Sequence, residues 1–233
     1  MPNYRLIDDL NEIPPFAGDP YSSCAALLYH GTRGRSLAVS AEKRKFLADA
    51  CERFLPFAQR FARDPYNQTK IDRYRKDTHD RYDLFCKSSL RLYRTAKNYE
   101  YGSFYLTNNA GRAIRYARNA GGELCELAYQ NAIPLLEMGV PLPPEIGEAV
   151  SVIKAEHYLY AASEPLLLIV ANCAFCDLRT ETNAPIAKES IDFTFYQNDL
   201  PKSFRLTTPE NYPFYVARAP LFEACEKLVG KRQ

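Results

Sequence analysis

Gly102–Ala117 reads GSFYLTNNAGRAIRYA, a strand that turns directly into a helix. Tyr101–Thr107 is rich in aromatic and β-branched residues and reads as a strand opened by glycine. Asn108 is placed to cap a helix running to about Ala120, and Gly121-Gly122 to end it. Small residues line one side of that helix. Tyr116 follows Tyr105 by eleven residues, a spacing that lets both rings turn to one pocket and sandwich a flat ligand ring. The plainer reading makes both of them core tyrosines.

Working outward, Ala25–Tyr29 (AALLY) reads as a short strand and HGTRGRS as the loop after it. Residues 1–26 are punctuated by Pro and Gly and read as an irregular arm. Ser40 is an N-cap candidate for AEKRKFLADACERFLPFAQRFAR, with Phe46, Leu47, Ala50, Cys51, Phe54, Ala58 and Phe61 at helical spacing. Pro56 is expected to kink or split this helix. After a break at DPYNQ a charged helix is expected over about Thr69–Lys97, completing a helical hairpin. Further helices are expected at about 123–138 and 144–163. LLLIVANCAF, SIDFTFYQ and FYVARA then read as strands, and about 220–229 as a last helix. Strands at both ends with helices between them predict an α+β fold with non-local strand pairing.

The chain has 233 residues, 46% hydrophobic and 25% charged, which excludes wholesale disorder and suits one large domain. Its longest strongly apolar run, Pro165–Ala171, is too short to cross a bilayer. Seven cysteines, an odd count with scattered spacing, and an N-terminus without an export pattern predict reduced thiols in a cytoplasm. Cys173 and Cys176 form a CxxC with no second pair and no nearby histidine. They read as small apolar residues, and no metal site is expected.

The net charge of +2 hides a strong asymmetry. Residues 33–118 hold twenty bases and nine acids, whereas residues 1–32 and 119–233 are both net acidic. Such a local excess attracts phosphate. The alternative is a solvated helical face that the acidic segments neutralise.

Two further clusters carry chemistry. Tyr29-His30-Gly31-Thr32 puts an imidazole beside a backbone that a ligand can approach closely. Glu210, in TTPENYPFYVARAP, leads into an aromatic-rich strand. Alone, each has a structural explanation: a satisfied histidine, a solvated edge carboxylate.

Together, LYHGTR, GSFYLTNNAGRAIRYA and ENYPFYVA resemble the His–Tyr–Glu pattern of the diphtheria-toxin and poly(ADP-ribose)-polymerase class of ADP-ribosyltransferases. The three motifs cover roughly 30 residues, and the most specific match is the eleven-residue step from Tyr105 to Tyr116. The resemblance implies a single catalytic domain over 1–233, with a split antiparallel β-sheet core and a helical hairpin inserted at 40–98. It implies NAD as co-substrate. His30 would bond the ribose on the nicotinamide side, and Gly31 the nicotinamide amide through its backbone. Tyr105 and Tyr116 would stack on the nicotinamide ring, and Thr32 would contact the adenosine side. Glu210 would bond the ribose hydroxyl and orient the acceptor, making His30, Tyr105 and Glu210 the catalytic set. Glu189, ahead of SIDFTFYQ, is the rival carboxylate. Ala113 stands where many polymerase-like members keep a serine.

The activity expected is transfer of a single ADP-ribose unit, as in a glycosyltransferase-type bacterial toxin or defence effector with an antitoxin as a further partner. The acceptor is RNA or DNA, held by the basic, tyrosine-interleaved segment 40–98, or a protein. The alternatives are a non-enzymatic nucleic-acid-binding module, and an NAD glycohydrolase on the same fold with water as acceptor. An RNA 2′-phosphotransferase would need a paired Arg/His set that is not found.

Overall fold

The computed structural model describes residues 3–19, 21–24, 26–77, 104–118, 122–180, 184–186 and 204–228. In chain order the main elements are β1 (Asn3–Leu6), β2 (Leu28–Arg33), α1 (Gly34–Ala38), α2 (Ala41–Arg63), α3 (Pro65–Asp77), β3 (Phe104–Leu106) and α4 (Ala110–Arg118), followed by α5 (Gly122–Glu137), α6 (Pro144–Ala162), β4 (Pro165–Val170), β5 (Leu178–Arg179), β6 (Phe204–Leu206), β7 (Pro213–Arg218) and α7 (Phe222–Lys227). The class is α+β, with strands from both ends of the chain paired across a helical middle.

Two compact units divide these elements. One takes residues 1–34, 102–118 and 164–233, the other 35–101 and 119–163. The first unit holds two sheets, ordered β1-β7-β4-β2 and β3-β6-β5. PLLLIV forms the central strand β4 because it is apolar on both faces, with Leu166–Val170 all buried. Its neighbours β2 and β7 both run antiparallel to it. One face of the larger sheet packs on α4 and α7 around Tyr29, Ala113, Ile114, Leu167, Ile169, Tyr215 and Phe222. On the other face Phe214 meets Phe104 of the smaller sheet, ring centroids 5.0 Å apart.

The second unit is helical. The buried face of α2 (Leu47, Cys51, Phe54, Ala58) packs with Ile71 of α3, Cys125, Ala128 and Leu135 of α5, and Ile153 of α6. The sequence places the helical insertion at 40–98 and further helices at about 123–138 and 144–163. These segments form one compact unit, in which the apolar face of α2 is covered by α5 and α6 as well as by α3.

Several local expectations are corrected. The N-terminal arm contains β1, which pairs in parallel with β7 from Asn3↔Pro213 to Leu6↔Val216, so the larger sheet is mixed rather than antiparallel throughout. HGTR is not a loop: β2 continues to Arg33, since Thr32↔Leu166 and Arg33↔Pro165 extend the ladder with β4 and override the local glycine signal. Pro56 does not split α2, which runs unbroken for 23 residues. The carbonyl that Pro56 leaves without its helical donor is that of exposed Glu52, where solvent serves it. The expected strand SIDFTFYQ, the hairpin beyond Asp77, and Gly102, Cys86 and Glu189 lie outside the described residues. No helix among the described residues is long and apolar enough to cross a membrane.

Candidate functional site

β2 is an edge strand of the larger sheet and β3 an edge strand of the smaller. Among the described residues a single rung joins them. Tyr29 N–H donates to the Thr107 carbonyl at 2.7 Å, and Thr107 N–H donates to the Tyr29 carbonyl at 2.8 Å. The ladder stops there. The next contact is made by a side chain: His30 Nδ1 lies 2.9 Å from the Tyr105 carbonyl oxygen. A carbonyl only accepts, so Nδ1 carries the proton and the neutral ring keeps Nε2 as an acceptor. The imidazole is half-buried, its centroid 5.4 Å from that of Phe104. Burial holds its pKa below the ordinary histidine value, against an opposing contribution from the Tyr105 bond.

Gly31 is placed by ladder parity. Gly34 N–H donates to the Glu164 carbonyl at 2.9 Å, so the even-numbered residues of β2 bond toward β4. Tyr29, Gly31 and Arg33 turn their backbone groups to the opposite edge. The N–H and C=O of Gly31 therefore face the opening between the two sheets, one donor beside one acceptor. Its Cα faces α4, whose backbone comes so close that a Cβ would overlap the Ala113 carbonyl oxygen and sit 2.7 Å from the Ala117 nitrogen. Glycine is demanded here by helix–sheet packing, and Ala113 and Ala117 are small for the same reason.

The helix that approaches Gly31 begins with a cap. Asn109 Oδ1 accepts Arg112 N–H at 2.9 Å, and Thr107 Oγ1 accepts Asn109 N–H at 3.2 Å. The cap is Asn109, one residue later than the sequence reading placed it. Thr107 opposes Tyr29, whose side chain packs on α4, and by strand alternation Tyr105 turns to that same face. Tyr116 rides on α4, half-buried, with the Arg112 guanidinium 5.8 Å from its ring centroid. Gly31, Tyr105 and Tyr116 thus belong to the helix-covered side of the junction. His30 and buried Thr32 alternate to the other face of β2.

Glu210 is not brought into this group. It is exposed in a 3₁₀ turn, Pro209–Asn211, ahead of β7. The β7 residue level with His30 across Leu168 is Val216, six positions further on. The turn itself is anchored by Tyr212, whose hydroxyl donates to Asp177 Oδ2 at 2.6 Å and accepts Ala174 N–H at 3.0 Å.

The sequence reading missed Phe104, which packs on His30, and the Asn109 cap. Asn108 and Asn109 are equally good capping residues by type, so the local sequence did not choose between them. Phe104 becomes significant only through the meeting of the two sheets. Comparison with protein-family models, with curated proteins and with solved structures finds no match.

Proposed function

We propose that this chain is an NAD-dependent mono-ADP-ribosyltransferase of the His–Tyr–Glu type, its core a split pair of sheets with NAD between them. The observation that carries the reading is the one-rung junction of β2 and β3, where His30 bonds the Tyr105 carbonyl through Nδ1 and Gly31 turns its backbone N–H and C=O to the same strand edge. A carboxamide needs one acceptor for its NH₂ and one donor for its oxygen, and Gly31 supplies both. A ribose hydroxyl can donate to His30 Nε2. Tyr105 and Tyr116 supply two aromatic faces for the nicotinamide ring, and Thr32 lies two residues along β2 from His30 for the adenosine side.

In the proposed step the bond between ribose C1′ and the nicotinamide nitrogen breaks. Nicotinamide leaves neutral with the electron pair, and C1′ bonds to the acceptor, which gives up a proton. Positive charge gathers on the ribose in the transition state, so a carboxylate at the ribose hydroxyl stabilises it more than the ground state. Glu210 is the first candidate and Glu189 the second. The position of Glu210 in a turn rather than on β7 requires that turn to reach the ribose.

The test is incubation of labelled NAD with a cell extract separated into RNA, DNA and protein, beside His30→Ala and Glu210→Gln proteins. Label in one fraction, absent with either variant, is the expected result. Label lost with His30→Ala and kept with Glu210→Gln would transfer the carboxylate role to Glu189. Nicotinamide release without label would mean a glycohydrolase. Neither label nor NAD turnover would overturn the proposal.

A further inference from the structure

The corner between α2 and α3 presents an aromatic ring to solvent in basic surroundings. Tyr66 is 93% exposed, although a tyrosine ring ordinarily gains by covering some of itself. The other tyrosine of α3, Tyr74, behaves in the ordinary way: it packs on the helical core, and its hydroxyl bonds the Glu137 carboxylate. Of the two tyrosines on α3, only Tyr66 is left in solvent.

The ring is held on a rigid support. Asp64 Oδ1 accepts Tyr66 N–H at 3.0 Å, and Pro65 takes the first position of α3, where its missing N–H costs nothing. Two of the last α2 carbonyls, those of Phe61 and Ala62, are bonded by Asn67 Nδ2 at 3.1 Å and Gln68 Nε2 at 2.6 Å. Ile71 is buried beneath. The corner is therefore sewn together by its own side chains, and the exposed ring starts from a fixed place.

Cations flank it along the chain, with Asp64 and Asp72 among them. Lys70 and Arg73 follow Tyr66 at i+4 and i+7, on the same face of α3 and within about 10 Å along its axis. Arg60 and Arg63 occupy the last turn of α2. All four are exposed, and among the described residues none of them makes an ion pair. Charge is unevenly shared within the unit: residues 35–101 hold sixteen bases and nine acids, residues 119–163 one base and six. Two of those six, Glu126 and Glu156, are engaged by His157 and Arg35.

We infer that this corner is a binding surface for single-stranded nucleic acid, with Tyr66 stacking on a base and Arg63, Lys70 and Arg73 contacting the flanking phosphates. Every base has a π-face, so one exposed ring among cations binds strands with little sequence preference. The inference deepens the proposed function by naming the acceptor class, but the surface is tested by itself.

The experiment is fluorescence anisotropy of the full chain with a short labelled oligo-U RNA and, in a second arm, oligo-dT DNA, over a salt series. Binding is expected in one or both arms, which identifies the preferred strand. Tyr66→Ala should weaken it at least about fivefold and Tyr66→Phe should restore it. Replacing Arg63, Lys70 and Arg73 by Gln should flatten the log K against log salt slope by about 2, at about 0.7 per phosphate contact. Because the ring is exposed, Tyr66→Ala should keep the wild-type circular dichroism and melting point. No binding at low salt, or a Tyr66→Ala protein that binds as wild type, overturns the inference; so does heparin competing equally against both proteins, which would mean a polyanion surface without stacking. His30→Ala protein that still binds RNA while NAD turnover is absent even from wild type would leave the surface standing and the enzymatic reading fallen.

Discussion

His30 and Gly31 are neighbours with opposite obligations. His30 gives its Nδ1 proton to the Tyr105 carbonyl, and burial disfavours the charged ring. The folded protein thus takes up the second ring proton, at Nε2, less readily than the unfolded chain. Between the depressed folded pKa and the ordinary value of about 6.5 the unfolded state holds more protons, so stability rises with pH through this window. We expect the melting temperature to fall on acidification below about pH 6.5, this component to vanish in His30→Gln, and the His30 resonance to titrate below the ordinary range. For Gly31 the obligation is steric. Gly31→Ala is expected to cost about 1–3 kcal/mol or more, since the clash is with the backbone of α4 and not with a flexible side chain. A chemical-denaturation midpoint unchanged by this substitution would show that α4 can shift without loss.

The elements carry the next set of consequences. α4 has nine residues and depends on its cap and on its small buried face of Ala110, Ala113 and Ala117. Asn109→Ala should cost about 1 kcal/mol in thermal unfolding, and Asn109→Asp should recover most of it. In the helical unit Phe54 is fully buried where α2 meets its partners, and Phe54→Ala should cost about 3–5 kcal/mol. Between α5 and α6, His157 stacks flat on Tyr129 at 3.5 Å and bonds Glu126 at 3.0 Å. Arg35 grips Glu156 through several bonds of 2.7–3.0 Å. These polar contacts orient the helices around an apolar core, and at about a quarter exposed the Arg35–Glu156 pair is too solvated to dominate stability.

At the scale of the molecule, six cysteines are described as free thiols, and of these Cys176 alone is exposed. The two halves of the CxxC differ, because Cys173 is buried while Cys176 sits exposed in a 3₁₀ turn. A hydrogen bond with Cys51, and then burial, raises the thiol pKa of Cys125; burial raises that of Cys173 and pushes that of Cys225 up to about 11. A thiol reagent applied to native protein is expected to label Cys176 quickly and Cys24, Cys51, Cys125, Cys173 and Cys225 only on unfolding, with sites read by peptide mass mapping. Fast labelling of Cys225 or Cys173 would show local opening of the sheet unit.

What was legible from the chain alone is local. Residues 41–63 repeat their apolar positions at helical steps behind Ser40, and α2 forms there, capped by that serine. Pro165–Val170 is apolar on both faces and becomes the buried central strand. Pattern and capping reside in neighbouring residues, so a short window contains them. Other features depended on partners more than a hundred residues away. β1 was read as an irregular arm because its strand character comes from pairing with β7 at the far end of the chain. HGTR was read as a loop because only the ladder with β4 keeps it extended. β6 has three residues and pairs on one side with β3, from far earlier in the chain. That same long-range register, not the HGT motif, turns Gly31 outward at the sheet edge, sets His30 on the Tyr105 carbonyl and leaves Glu210 in a turn. Sequence determined which residues could serve these roles. Tertiary structure decided where they point, because a backbone hydrogen bond in a sheet is specified by the strand on the other side.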